Sequence, residues 1–345
     1  MHAMADAMTH EGRVLITGAT GFVGGHLIAH LRAAHPHWWA ITGTTLGERS
    51  AVPHPEGTRW QSAEEGAEIV PCDLRDAAAT ADLVARVRPD AVFHLAGQSN
   101  VPISFADPED TLTNNITGVL HLLEACRAHA PAARLLIVSS AEVYGPAPPE
   151  AQPLREDRAL RPVSPYAVSK AAVEMLALQY AHSYGQDVVV ARPFNHVGPG
   201  QTEKFVVSRF AREIARIERG EQEVLRVGNL TAARDFSDVR DIVRAYDTLI
   251  ERGERGGVYN IGRGEAITVE AVLDTLRGLA TVPVRTEVDP AIFRPSDAPL
   301  LVADTARVRS VGWEPRIPFA QTASDILNDW RRVLAADTDA ERTPA

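Results

Sequence analysis

Gly18-Ala19-Thr20-Gly21-Phe22-Val23-Gly24 follows directly on the apolar run Arg13-Val14-Leu15-Ile16-Thr17 and opens an amphipathic stretch over 22–34. That order predicts a strand, a glycine turn and a helix. Glycines here let the chain turn tightly and let its backbone approach a pyrophosphate. The unpaired N–H groups and positive dipole end of the helix then attract the anion. A tight turn alone would use the same glycines. Their place at the first strand–helix junction points to a dinucleotide instead. Gly18, Thr20, Gly21, Phe22, Val23 and Gly24 are therefore the expected cofactor cradle.

Outward from this junction, apolar runs at 39–43, 68–70, 90–95, 134–139 and 188–191 alternate with helical stretches, the longer ones at 108–129 and 165–184. Continuous apolar strands suit a parallel sheet covered on both faces. The expected fold is α/β, a Rossmann doubly wound parallel sheet with a smaller C-terminal lobe. Residues 12–192 form the dinucleotide-binding domain, with 238–260 packing back on it, and 193–334 mainly the second lobe. Residues 1–11 read as a disordered leader and 335–345 as a disordered tail. The proline-rich stretch 146–165 reads as a surface loop beside a cleft.

Composition narrows the class. No apolar run is long enough to cross a membrane, and the first residues lack the basic start and apolar run of a secretory signal. Cys72 and Cys126 stand apart with no Cys/His cluster around them, so no metal site is expected and a reducing cytoplasm suits the chain. A net charge of -10 argues against general affinity for nucleic acid or anionic lipid, though not against a small anion held by a few arginines.

Tyr166 and Lys170 stand four residues apart at an expected helix start, so both lie on one face. A neighbouring ammonium favours phenolate, so Lys170 is expected to lower the pKa of Tyr166 and ready it for proton exchange with a substrate oxygen. Ser140, in Ser139-Ser140-Ala141-Glu142 at the end of the fifth strand, can orient the same oxygen. Leu95-Ala96-Gly97 closes the fourth strand with small residues and gives a dinucleotide room. Asp73, just past the third strand, can accept from an adenine amine or cap the next helix. The second strand ends at Thr42-Gly43-Thr44-Thr45-Leu46 without the acid that usually binds the ribose 2′-hydroxyl, and Arg49 lies close behind. Thr44 and Arg49 therefore favour NADPH, with NADH possible.

With Gly-x-x-Gly-x-x-Gly, the serine and Tyr-x-x-x-Lys in place, the chain resembles the extended short-chain dehydrogenase/reductase family over 12–332. Within it, the chain resembles the GDP-4-dehydro-6-deoxy-mannose reductases. The residues behind this are Arg192-Pro193-Phe194-Asn195-His196-Val197-Gly198-Pro199-Gly200-Gln201, Val227-Gly228-Asn229-Leu230, the segment from Arg234 to Asp241, and Phe293-Arg294-Pro295-Ser296-Asp297. The resemblance implies a GDP-sugar substrate. It implies Asn195, Arg234 and Arg294 at the diphosphate, Asp297 at the nucleotide ribose and Pro193 against the nicotinamide. It also implies Leu74 at the cofactor, and Ser99, Glu142, Val206, Arg209 and Asn229 at the substrate. His196 reads as a loop-ordering residue, and Asp235 and Asp238 can simply cap the following helix. The family further implies a homodimer paired through the helices at 108–129 and 165–184, with Leu120, Leu123, Ala172 and Leu176 on their apolar faces.

Glu142 is the ambiguous residue. A sister family, GDP-mannose 4,6-dehydratase, needs an added acid/base there, whereas a reductase can use the carboxylate to bind sugar hydroxyls. Ala141 removes one polar candidate, and the phosphate-side segments read more like the reductases. Other nucleotide-sugar epimerases or reductases are further alternatives. A dinucleotide-sensing regulator is the non-enzymatic one, and the intact Ser140, Tyr166 and Lys170 argue against it.

Overall fold

The computed structural model describes residues 12–35, 40–47, 67–291 and 300–342, with side chains as far as 336. Seven strands pair in the order β3-β2-β1-β4-β5-β6-β11, all parallel: β1 (Arg13–Thr17), β2 (Ala40–Thr45), β3 (Ala67–Pro71), β4 (Ala91–His94), β5 (Arg134–Val138), β6 (Asp187–Pro193) and β11 (Val258–Ile261). The order reverses between β1 and β4. A crevice opens at such a switch point, beyond the carboxyl ends of the strands.

Both faces of the sheet are covered. On one, α1 (Phe22–Ala34) lies against α8 (Val239–Arg252), and Leu27, Ile28, Leu31, Ile242, Tyr246 and Trp313 share a core with Val14 and Ile16. On the other, α2 (Ala77–Val87), α5 (Gly118–His129) and α6 (Pro165–Ser183) bury Leu83, Leu122, Val173 and Ala177 against Leu15 and Leu135. Alternation along β1 sends Val14 and Ile16 to one face and Leu15 to the other, so a one-residue slip would invert both layers. Each such buried aliphatic side chain contributes about 1.5–3 kcal/mol.

A separate core joins α7 (Val206–Glu218), α9 (Val269–Gly278) and α11 (Phe319–Arg342) through Phe210, Ile214, Leu273, Leu327 and Trp330. Two short strands link the layers: β7 (His196–Val197) pairs with β10 (Ser237–Asp238). Asp238 accepts from Arg240 N at 2.8 Å and so caps α8, whereas Asp235 caps nothing. It is buried and accepts instead from the backbone N–H groups of Arg263, Gly264 and Ala303.

Four expectations need correcting or refining. The stretch 108–129 is not one regular helix: α4 (Pro108–Leu112) passes through a π-helical turn at Thr113–Thr117 before α5. The wide turn accommodates Asn115, whose amide bonds outside the helix. Residues 335–342 continue α11, which ends at Arg342, and residues 343–345 lie outside the described residues. No glycine or proline interrupts the chain there before Pro344. The loop 146–165 is tied down by its middle: Leu154 is fully buried, and its N–H donates to Val302 O at 2.8 Å. Leu123 belongs to the subunit's own core at 0 % exposure, and the outward apolar side chains on this side are Ile103, Phe105, Val168 and Met175. Residues 1–11 lie outside the described residues.

Candidate active site

The glycine loop is held from below. Gly18 N donates to Thr44 Oγ1 at 3.2 Å and Ala19 N to Thr44 O at 3.0 Å, so buried Thr44 supports the loop. Gly18 adopts φ +69°, and a Cβ there would stand 2.9 Å from Ala96 Cα. β1 and β4 therefore meet backbone to backbone at the switch point. A Cβ on Gly24 would stand 2.5 Å from Gly18 O. No described side chain caps α1 at Gly21. Open N–H groups beneath a glycine turn are what a pyrophosphate needs. Thr20, Phe22 and Val23 sit in the same turn, and Phe22 stacks on His196 with centroids 6.2 Å apart. His196 Nδ1 lies 3.0 Å from Phe194 O, which agrees with a loop-ordering role.

Across the crevice, Ser164 caps α6 by accepting from Ala167 N at 3.1 Å, and Pro165 occupies the first turn. This fixes the start of the helix and brings Tyr166 and Lys170 inward on one face. The Tyr166 hydroxyl shares a hydrogen bond with Ser140. Ser140 Oγ also accepts from Glu142 N at 3.2 Å, which sets the single turn Ala141–Tyr144. Lys170 Nζ donates to Val138 O at 2.9 Å.

The expected electrostatics are reversed here. Burial pushes the Tyr166 phenol up to about 12, against the Ser140 hydrogen bond. Burial also brings Lys170 down to about 8. In a buried pair, desolvation of each charged form outweighs the attraction that was expected to lower the tyrosine. Tyr166 is thus a neutral phenol at neutral pH, ready to donate. Glu142 is pushed up by burial and pulled down by Arg234, and burial lowers Arg234 against the pull of Glu142. The carboxyl and the guanidinium are therefore near enough to act on each other's charge.

Beneath the centre, Arg192 and Glu174 form a fully buried ion pair. Arg192 also donates to Tyr144 Oη at 2.7 Å, and Tyr144 donates to Asn260 Oδ1 at 2.7 Å. Breaking such a pair by removing one partner leaves an uncompensated charge and costs about 3–5 kcal/mol.

Other expected site residues fall as follows. Leu95, Ala96 and Gly97 follow directly on β4, and Ala96 N donates to Thr17 Oγ1 at 3.2 Å. Pro193 is buried at the end of β6, and Asn195 is exposed just beyond it. Asp73 is engaged by Arg75 at 2.8 Å, which holds its carboxyl below the usual range, while Asp76 caps α2. Leu74 is buried against α5 near Gly118. Ser99 is exposed before Asn100, and Asn229 Oδ1 accepts from Thr231 N at 2.9 Å. Val206 starts α7. Arg209, one turn on, faces a cleft of about 580 Å³ that Glu213, Arg226, Glu287 and Asp289 also line. Neither Tyr166 nor Ser140 lines that cleft. Arg49, Arg294 and Asp297 lie outside the described residues.

Two residues escaped the sequence reading. Asn115 Oδ1 accepts from Gln98 N at 2.8 Å, and its Nδ2 donates to Ser169 Oγ at 2.9 Å, so it braces the loop after β4 against the helix bearing Lys170. Two adjacent asparagines in a helical stretch were its only signal. His94 is fully buried at the end of β4, 2.8 Å from Thr17 Oγ1, and burial beside Lys170 lowers its pKa to about 3.

A doubly wound sheet, a glycine cradle at its switch point and a Ser–Tyr–Lys centre define an oxidoreductase of the extended short-chain dehydrogenase/reductase type. The model of the GDP-mannose 4,6 dehydratase family matches residues 15–326, and the chain belongs to that family. It is 39% identical over 320 residues to GDP-6-deoxy-D-mannose reductase of Pseudomonas aeruginosa, covering 92% of this chain and 97% of that one. It is 33% identical over 264 residues to GDP-mannose 4,6 dehydratase 2 of Arabidopsis thaliana, covering 74% and 70%. Among solved structures, RMD from Pseudomonas aeruginosa complexed with NADPH matches with a TM-score of 0.79 and 37% identity, over 93% of this chain and 99% of that one. UDP-glucose 4-epimerase of Thermus thermophilus in complex with NAD matches with a TM-score of 0.78 and 32% identity, over 92% and 99%.

Proposed function

We propose that this protein reduces the C4 keto group of a GDP-4-keto-6-deoxy-mannose-type sugar nucleotide, using NADPH. The observation that carries this is Tyr166, buried and held protonated beside Ser140, because a ketone reduction needs a proton donor in place from the start. Likeness to the reductase along nearly the whole of both chains supports it.

The nicotinamide, when bound, would supply a hydride to the carbonyl carbon. Gly18, Gly21 and Gly24 would hold its pyrophosphate, since a side chain at Gly18 would strike the backbone of Ala96 and one at Gly24 that of Gly18, forcing the tight turn open. Tyr166 Oη gives its proton to the C4 oxygen, and the Ser140 hydroxyl holds that oxygen in line. Lys170 remains a cation below pH 8, where it can hold a ribose hydroxyl and stabilise the phenolate left behind. Glu142 takes up sugar hydroxyls, and Asn195 and Arg234, with Arg294, take up the diphosphate. Asp297 binds the nucleotide ribose. Val206, Arg209 and Asn229 face the nucleoside.

A second reading, GDP-mannose 4,6-dehydratase, draws on the burial that raises the Glu142 pKa towards acid/base work. Substrate choice separates the two. The reductase consumes one NADPH per 4-keto-6-deoxy sugar nucleotide and leaves GDP-mannose untouched. Conversion of GDP-mannose to a 4-keto product with no net use of cofactor would establish the dehydratase in its place.

The proposal includes a nucleotide-binding domain over 12–192 with 238–260 added, and a sugar-nucleotide lobe mainly over 193–334. It also includes a homodimer through the exposed apolar side chains of α3 (Val101–Ala106) and α6, namely Ile103, Phe105, Val168 and Met175. A cytoplasmic location suits the free thiols of Cys72 and Cys126.

A further inference from the structure

At the end of α1 remote from the glycine loop, four metal-ligating side chains converge that the chemistry above does not use. His30 Nε2 lies 2.8 Å from Asp247 Oδ2, and His35 Nε2 lies 2.9 Å from the same oxygen. Glu251 Oε1 stands 3.8 Å from His35 Nε2. Ligand atoms of His35, Asp247 and Glu251 all lie within 4.8 Å of one another. Asp247 and Glu251 are one turn apart on α8 and so share a face. His35 is the residue at which α1 stops, and its non-helical backbone turns the imidazole back beside His30. All four side chains are largely shielded, at 21, 17, 10 and 27% exposure for His30, His35, Asp247 and Glu251.

We propose that His35, Asp247 and Glu251 form a binding site for a zinc-class divalent cation that clips the C-terminal end of α1 to α8, with His30 holding Asp247 from the other side. An imidazole nitrogen beside two carboxylates, with water at the fourth position, is a donor set that a borderline-soft cation favours, and that magnesium or calcium does not. Both Nε2 atoms now point at one carboxylate oxygen, as N–H donors in each ring's Nε2–H tautomer. With its proton on Nδ1 instead, His35 offers a neutral Nε2 lone pair to a cation seated among the three ligand atoms. The cation would also relieve the repulsion between the two carboxylates, which together with burial pushes Glu251 up. The one other cation at the cluster among the described residues, Arg252, is 62% exposed and 3.8 Å from Glu251, so it can swing into solvent. α1 has 13 residues, which puts the site about 20 Å along the helix from the glycine loop. The clip is therefore structural and independent of the proposed reaction.

The test uses untagged full-length protein stripped with a chelator, then titrated with zinc against a chromophoric competitor and, separately, with cobalt(II). One zinc per chain should bind and raise the melting temperature, and cobalt should give the visible absorption of a low-coordinate nitrogen–oxygen site. His35→Gln and Asp247→Asn should each weaken zinc at least about tenfold and abolish the zinc-dependent rise in melting temperature. Other histidines of the chain can bind zinc weakly, so the readout is the difference from the unaltered protein. If a variant fails to fold, Glu251→Gln replaces it, and the cobalt spectrum of the unaltered protein stands on its own. No stoichiometric zinc, no cobalt absorption, or variants that bind zinc as tightly as the parent would overturn the proposal.

Discussion

Replacing Lys170 with Met should make this protein more stable and far less active. Nζ is buried, and burial lowers its pKa from 10.5 to about 8. That gap of 2.5 (10.5 less 8) corresponds to about 3 kcal/mol opposing folding whenever the pH is below 8. The 2.9 Å bond from the cation to Val138 O favours the charged form and offsets about 1–2 kcal/mol of this. Met fills a similar volume without a charge, so the variant should gain about 2 kcal/mol at pH 7. Between pH 8 and 10.5 the unfolded chain keeps a proton that the folded chain has released, so the parent's stability rises with pH across that window. The advantage of Met should therefore be full and flat below pH 8, and should shrink by about 2 kcal/mol by pH 10.5. Urea denaturation of both proteins without nucleotide, at pH 7 and pH 10.5, measures it. A Met variant less stable than the parent at pH 7, or a difference unchanged between the two pH values, would refute the reasoning.

Tyr166→Phe keeps the ring but removes the proton donor, so NADPH should still bind while turnover with the 4-keto substrate falls by about 10² to 10⁴. Glu142→Gln should raise KM and spare kcat if the carboxylate only binds sugar hydroxyls, whereas loss of nearly all kcat would favour the dehydratase. Gly24→Ala places a methyl 2.5 Å from Gly18 O and must displace the loop, so NADPH affinity measured by fluorescence should fall at least about tenfold, with the fold intact by circular dichroism. Light scattering at micromolar concentration should give twice the chain mass, and Met175→Glu on the exposed face of α6 should return it to a monomer.

Whatever depends on neighbours in the chain was legible before any coordinates. The strand–glycine–helix order at Gly18, the single turn between Tyr166 and Lys170 and the alternation of layers all follow from periodicity and from which backbone angles glycine allows. They gave the sheet, and with it the candidate cofactor cradle and the candidate catalytic centre. The sequence also placed Ser140 at a strand end, where only a short turn separates it from Glu142.

Tertiary structure decided the rest, because distant segments meet in space only after loops of many residues have closed. The hydrogen bonds of Asn115, 17 residues from Gln98 and 54 from Ser169, leave no local periodicity to read. The Arg192–Glu174 pair, the approach of Arg234 to Glu142 and the meeting of His30 and His35 with Asp247 are of the same kind. The pKa values inverted the expectation for the same reason. Spacing alone showed an ammonium near a phenol, but burial of both against the sheet made desolvation the larger effect, and only the packed chain determines how much water is excluded.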